Sequence, residues 1–410
     1  MSDASPTVRF HRPVMSIGGA EIVARERFGL TGALRELPSE RDRNFLITTS
    51  GGDRVVLKIS HTDEDPAILD LQHRALAHLA RRAPELLLPR VVPSTSGREV
   101  ESITTGDGVT HLARALTWIP GKEWARVSPH TPELLRSLGR TMAVIDRALR
   151  DFIHPATIRN LKWDVARSGW VRDHLHRIDD PGRRALVERH LDRFERDVRP
   201  ALATLRRGII HNDANDWNVI VDLAPPYERR VTSVVDFGDM LESVVVADLA
   251  IACAYAMQGK ADPLGTAAEV VAGYHADHPL TEPELGLLFP LICTRLTVSV
   301  INSAEQRASF PVEAYLTISE TEAWRTLERL ETVHPRLAEY TFRAAACLEP
   351  CPRAPALRAW LAAHQGAMGP LLAVEGPVVA LDLSVGSPLV ESPEEPGDPA
   401  RFARKLFERI

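Results

Sequence analysis

Cysteine is scarce in this chain, with four in 410 residues, which excludes a disulfide framework. Cys253 and Cys293 sit in apolar helical patterns, where a thiol packs as a small hydrophobe. Cys347 and Cys351 lie four apart, with no second Cys or His pair at zinc-site spacing. A basic excess is missing as well: 49 Lys and Arg stand against 55 Asp and Glu, a net charge of −6, so the footprint of a nucleic-acid binder is absent. Long uninterrupted apolar runs are lacking. Val244 to Met257 carries Asp248 and is too short to cross a bilayer, so no membrane association is expected. The start, Met-Ser-Asp-Ala-Ser-Pro, has neither the basic residues nor the apolar core of a signal peptide, which makes the cytoplasm the expected compartment. No internal repeat is evident. What remains is a chain 44% apolar, long enough for two to three structural units with large cores.

Its most informative segment is His211-Asn212-Asp213-Ala214-Asn215-Asp216-Trp217-Asn218, followed by Val234-Val235-Asp236-Phe237-Gly238-Asp239. An Asp, an Asn five positions later, and a further Asp at the end of an apolar strand supply one base and two oxygen ligands for Mg²⁺. Phosphoryl transfer needs little more from a protein than alignment of donor and acceptor and neutralisation of phosphate charge. Asp213 is therefore the expected catalytic residue, and Asn218 and Asp236 the expected metal ligands. His211 is expected to brace the loop, and Asp248 to cap its own helix.

These motifs resemble the protein-kinase-like superfamily, whose catalytic loop reads His-Arg-Asp with Asn five residues after the Asp, and whose metal Asp opens Asp-Phe-Gly. Asn212 replaces the Arg that grips an activation-loop phosphate in many regulated protein kinases. A helical pattern already begins at Ala247-Asp248-Leu249-Ala250, leaving no peptide platform. The short form looks like the aminoglycoside phosphotransferase and choline kinase group. Ser39 to Phe45, Thr117-Trp118-Ile119-Pro120-Gly121, Asn160 to Asp164, Asp236 to Met240 and Cys293-Thr294-Arg295-Leu296 look more specifically like the hydroxylysine kinase family, over about residues 20 to 335.

The resemblance implies an α+β, two-lobed protein-kinase-like fold: a small N-terminal antiparallel sheet lobe over residues 1–120 and a larger helical lobe over 121–365. Runs Asn44 to Thr49 and Arg54 to Ile59, joined by Ser50-Gly51-Gly52-Asp53, read as a hairpin carrying Lys58, the expected ligand of the donor phosphates. The loop from Pro38 to Asn44, with Ser39 and Asn44, would cover the nucleotide. Asp65-Pro66 begins a helix on which Gln72 occupies the position of the kinase Glu that pairs with the Lys. Val91-Val92 and Leu112 to Ile119 should complete the sheet. Thr117, Trp118 and Ile119 then face the base, and Pro120-Gly121 forms the hinge. Beyond it only the strand pair Asn218 to Val221 and Val231 to Val235 is expected to interrupt a helical lobe. Residues 366–410 are rich in Pro and acidic residues and read as a linker or tail.

Asp216, Asp239 and Glu242 are candidates for an acceptor ammonium, and Arg295 for an acceptor carboxylate or a buried acid partner. The expected activity is transfer of the γ-phosphoryl of ATP or GTP, with Mg²⁺, to the hydroxyl of an amino alcohol or a 5-hydroxylysine-like amino acid. Homoserine, choline or aminoglycoside kinases are alternatives, as is a nucleotide-binding regulatory domain that does no chemistry. Leu381 to Ser387 resembles the junction preceding a PLP-dependent aminotransferase-like lyase in bacterial multidomain proteins. A fused or associated domain of that kind is the expected partner, with Arg401 to Ile410 patterned as the start of a helix.

Overall fold

A computed structural model describes residues 12–39, 41–309, 316–356, 359, 363, 372–375 and 378–381. The chain forms two compact units, divided between Cys347 and Leu348. The first opens with α1 (Ile17–Phe28), capped by the Ser16 hydroxyl and closed by left-handed Gly29. Next come β1 (Gly32–Leu37), β2 (Arg43–Thr49), β3 (Arg54–Ile59), α2 (Pro66–Arg82), β4 (Val91–Val92), β5 (Glu101–Thr104) and β6 (Thr110–Thr117). The strands build one antiparallel sheet in the order β1-β2-β3-β6-β4, with β5 also on β6.

The β2–β3 hairpin, its turn at Ser50–Asp53 and the Asp65-Pro66 helix start all appear as the sequence predicts. The sequence reading did not anticipate α1, β1 or β5. In β1 the charged Arg35 and Glu36 sit within a strand that buries no residue fully, so a two-residue alternation had nothing to mark. Side-chain alternation divides the sheet's two faces. Phe45, Ile47, Leu57, Ile59, Ala113 and Ala115 pack with Ala20, Ala24 and Phe28 of α1 in one core cluster. On the opposite face, register places Asn44, Lys58 and Arg114 in one cross-strand row.

The larger lobe comprises β7 (Lys122–Glu123), α3 (Pro132–Leu149), α4 (Pro181–Arg193), β8 (Arg207–Ile210), β9 (Val219–Val221), β10 (Val231–Val234), β11 (Leu241–Val244), α5 (Val246–Ala256), α6 (Pro263–Asp277), α7 (Glu282–Ser309), α8 (Leu316–Leu330) and α9 (Pro335–Ala345). The expectation of a single strand pair here is corrected: β8 pairs with β11, and β7 adds to the β9–β10 ladder. Helix α7 also corrects the view that every apolar stretch is too short for a bilayer. Within Glu282–Arg307 a window of 18 residues has mean hydropathy 1.6, yet 89% of that window is buried inside the protein, as in a core helix.

In the second unit, β12 (Leu372–Glu375) and β13 (Val378–Leu381) pair antiparallel. Part of the expected linker is thus an antiparallel strand pair, and the second unit begins at Leu348. Beyond Leu381, the junction-like segment and the Arg401–Ile410 pattern lie outside the described residues.

Helices α3 and α6 meet through glycine. A Cβ added to Gly139 would stand 1.9 Å from the Val270 carbonyl oxygen, and one on Gly273 would stand 2.0 Å from that of Arg136. Both contacts are with backbone, which cannot swing aside. Gly139→Ala or Gly273→Ala should therefore destabilise the fold by about 3 kcal/mol or more, through forced helix separation. Urea melts check this; unchanged midpoints would show that the two helices separate without cost.

Candidate active site

Strand β8 ends at Ile210, and the chain turns through His211-Asn212-Asp213 with Asn212 in the left-handed region at φ 66°. That backbone is held from beneath. The buried Asp248 carboxylate accepts the His211 N–H at 2.7 Å and the Asn212 N–H at 2.6 Å. Asp248 was expected to cap its own helix; instead it reaches from the first turn of α5 to the loop, whose two inward amides would otherwise be buried without acceptors. Behind it, the buried Asp146 of α3 accepts the Tyr274 hydroxyl at 2.6 Å. Burial and the neighbouring Asp248 charge raise Asp146 well above the ordinary carboxyl range, which favours its protonated form.

His211 is fully buried and braces the loop. Its Nδ1 accepts the Asp213 N–H at 3.2 Å, Nε2 faces the Val235 carbonyl at 3.2 Å, and the ring meets Phe237 edge-on with centroids 4.6 Å apart. Burial lowers its pKa and keeps it neutral.

The Asp213 carboxylate gathers three side-chain donors. Asn218 Nδ2 lies 2.7 Å away, Asn215 Nδ2 3.0 Å and Arg295 Nη2 3.2 Å. The sequence reading singled out neither Asn215 nor the aromatic setting of Arg295, although Asn215 lay inside the decisive motif. Arg295 also donates to the Trp163 carbonyl and the Tyr255 hydroxyl, and its guanidinium lies over both rings. Of its two expected roles, the structure shows the acid partner: Arg295 is 1% exposed and pairs with Asp213. Desolvation, reinforced by the Asp239 charge, pushes Asp213 up to about 8 against the opposing pull of Arg295.

Asn218 and Asp236 emerge from the same end of the β9–β10 ladder, where Val219 pairs with Val234 and the Val235 N–H donates to the Asn218 carbonyl at 2.8 Å. Because the Asn218 amide nitrogen is spent on Asp213, its Oδ1 remains for a cation. Asp236, left-handed at φ 62° and half exposed, has Oδ2 3.6 Å from Lys58 Nζ. Lys58 first, then Arg114, holds the Asp236 carboxyl below its usual range. One amide oxygen and one ionised carboxylate at an open cleft fit a hard divalent cation such as Mg²⁺.

Gln72 is a correction. Its Oε1 accepts from Arg114 Nη2 at 2.8 Å, so it orients Arg114 rather than Lys58. The Lys58 ammonium instead has Asp236 beside it, and its charge also acts on Glu64. Asn44 lies on β2 directly opposite Lys58, rather than in a covering loop, and Ser39 sits before that strand. At the hinge, the Thr117 and Trp118 amides donate to the Arg90 and Arg54 carbonyls, so those two N–H groups are not offered to a base. Ile119 follows directly.

Among the acidic candidates, Asp239 lies 3.9 Å from Arg159, and burial raises its pKa. Burial pushes Asp216 up to about 6. Glu242 is directed elsewhere: it sits on β11, 43% exposed and paired with Arg207 at 3.5 Å.

The model of the phosphotransferase enzyme family matches residues 33–283. The chain belongs to this family. The phosphotransferase is 29% identical to hydroxylysine kinase of Mus musculus over 341 residues, covering 78% of this chain and 90% of that protein. It is also 29% identical to hydroxylysine kinase of Danio rerio, with 78% and 92% covered. A microcompartment-associated aminopropanol kinase shares the fold with TM-score 0.61 and 21% identity, over 81% of this chain and 99% of its own. The amicoumacin kinase hAmiN, solved with AMP-PNP and Ca²⁺, shares it with TM-score 0.59 and 16% identity, over 78% and 94%. The family match spans Lys58, Asp213, Asn218 and Asp236, whereas Arg295 lies beyond it.

Two outcomes follow from this geometry. Asp213→Asn should lower turnover by several powers of ten. More than about a tenth of wild-type turnover would remove Asp213 from the chemistry. Asp248→Asn offers the two loop amides a single acceptor oxygen and should cost about 1–3 kcal/mol together with most of the activity. Asp146→Asn, which keeps a neutral donor and an acceptor, should be nearly silent. Equal effects of the two substitutions, in melts and assays, would contradict the proton placement.

Proposed function

We propose that this phosphotransferase moves the γ-phosphoryl group of ATP or GTP onto the hydroxyl of a small aminated alcohol, with a 5-hydroxylysine-like hydroxy amino acid as the leading acceptor. The observation that carries this reading is the convergence of Asp213, Asn218, Asp236 and Lys58 at one cleft. Asp213 would accept the hydroxyl proton as the oxygen bonds to phosphorus. Arg295 and Asn215 fix the direction of its carboxylate. Lys58 would hold donor phosphate oxygens, and the Ile119 backbone would meet the base. Bound Mg²⁺, held by Asn218 and Asp236, would neutralise phosphate charge.

The names of the curated relatives support the acceptor class, and the carboxylates around Asp213 supply its chemistry: Asp239 and Asp216 suit an ammonium group beside the hydroxyl. The regulatory reading rested on Gln72 at the ion-pair position. With Lys58 beside Asp236 instead, that position gives it less support. The cytoplasm as working compartment belongs to the same proposal. So does a PLP-dependent aminotransferase-like partner domain, which the Leu381–Ser387 resemblance alone supports.

The test is a panel of hydroxy amino acids, amino alcohols and their deaminated analogues, offered with Mg²⁺ and either ATP or GTP, with product read by mass. Aminated acceptors should be phosphorylated and deaminated ones poorly so, and Asp239→Asn should raise the acceptor KM more than the nucleotide KM. Equal turnover of a deaminated analogue would overturn the acidic pocket, and no transfer to any acceptor would overturn the activity.

A further inference from the structure

The sheet face that carries Lys58 holds a second cation that the sequence reading passed over. Arg114 stands directly opposite Lys58 in the β3–β6 register, so both side chains leave the same face. Its side chain is only 3% exposed. Gln72 anchors it through one bond, from Nη2 at 2.8 Å, while Nε and Nη1 are buried with no hydrogen-bond partner among the described residues. A guanidinium taken out of water with two nitrogens unused is a poor arrangement for stability alone. The acids that act on it are Asp236 first, then Glu64 and Asp42, which places it beside the carboxylate that Lys58 also touches.

We infer that Arg114 is a donor-phosphate ligand: a buried guanidinium, oriented by Gln72, whose free N–H groups bind anionic oxygens of the nucleotide alongside the Lys58 ammonium. Gln72 suits this task where Glu would not. A carboxylate there would neutralise the cation row, whereas an amide oxygen holds the fork in place and leaves its charge for the ligand. Asn44, the third member of the row, has a buried Oδ1 without a partner and lies across from Lys58 on the other side.

The inference rests on the nucleotide reading above, and one binding series separates the two. Full-chain wild type, Arg114→Gln and Arg114→Lys are titrated by calorimetry in Mg²⁺ with adenosine, AMP, ADP and a non-hydrolysable ATP analogue, and with the guanine counterparts. Wild type should bind more tightly with each added phosphate. Arg114→Gln should bind the nucleoside as wild type does but lose about tenfold or more of the gain from monophosphate to triphosphate. Arg114→Lys should keep part of that gain. An undiminished gain in Arg114→Gln, or an equal loss for nucleoside and triphosphate, would overturn the inference by showing a packing role only. Should Arg114→Gln fail to fold, Arg114→Lys is judged by the same criterion. Wild type that binds no member of the series would overturn the nucleotide reading and this inference with it.

Discussion

The site depends on one buried carboxylate. Asp248 sits under the turn that carries Asp213 and accepts two consecutive backbone amides, His211 and Asn212. A charge buried this deeply is tolerated only when its oxygens are fully engaged. The two amides do much of that work, and Asp146, its own pKa raised by burial and by Asp248, lies behind it. Asp146 in turn is held by Tyr274 on α6, and α3 and α6 come close enough only because Gly139 and Gly273 lack side chains. A chain of contacts therefore runs from bare helix backbone to the position of one side chain in the cleft.

The rest of the cleft is a balance of charge around that fixed point. Asp236 and Asp239 both raise the pKa of Asp213, Asp236 raises that of Asp239, and the cations are arranged one to each. Lys58 faces Asp236, Arg159 faces Asp239 and Arg295 faces Asp213. The effects differ. Lys58 outweighs burial at Asp236 and keeps it ionised, which suits a metal ligand. At Asp213 burial wins, which suits a group that must take up a proton. Arg295 comes from α7, outside the span that the family model matches.

Much of this was legible in the sequence because it is local. The spacing of Asp213, Asn218 and Asp236 is a short-range pattern, and a hairpin brings it together with no help from distant residues. The β2–β3 hairpin, the Asp65-Pro66 start of α2 and the Thr131 cap of α3 were legible for the same reason, since turn and cap chemistry act over three or four residues. Strands β1, β5, β8 and β11 were not, because their pairing is set by partners elsewhere in the chain rather than by their own alternation.

By itself, then, the sequence determined the identity and order of the candidate site groups, along with the two-lobed architecture that its motifs resemble. Tertiary structure decided which partner each charged side chain took. Gln72 went to Arg114 rather than Lys58, Asp248 to the loop rather than its helix, Glu242 to Arg207 and Arg295 to Asp213. Each of those pairings joins residues from separate elements, or across a strand ladder. The energy of a charge depends on burial and on the nearest opposite charge, and neither quantity exists until the chain has folded.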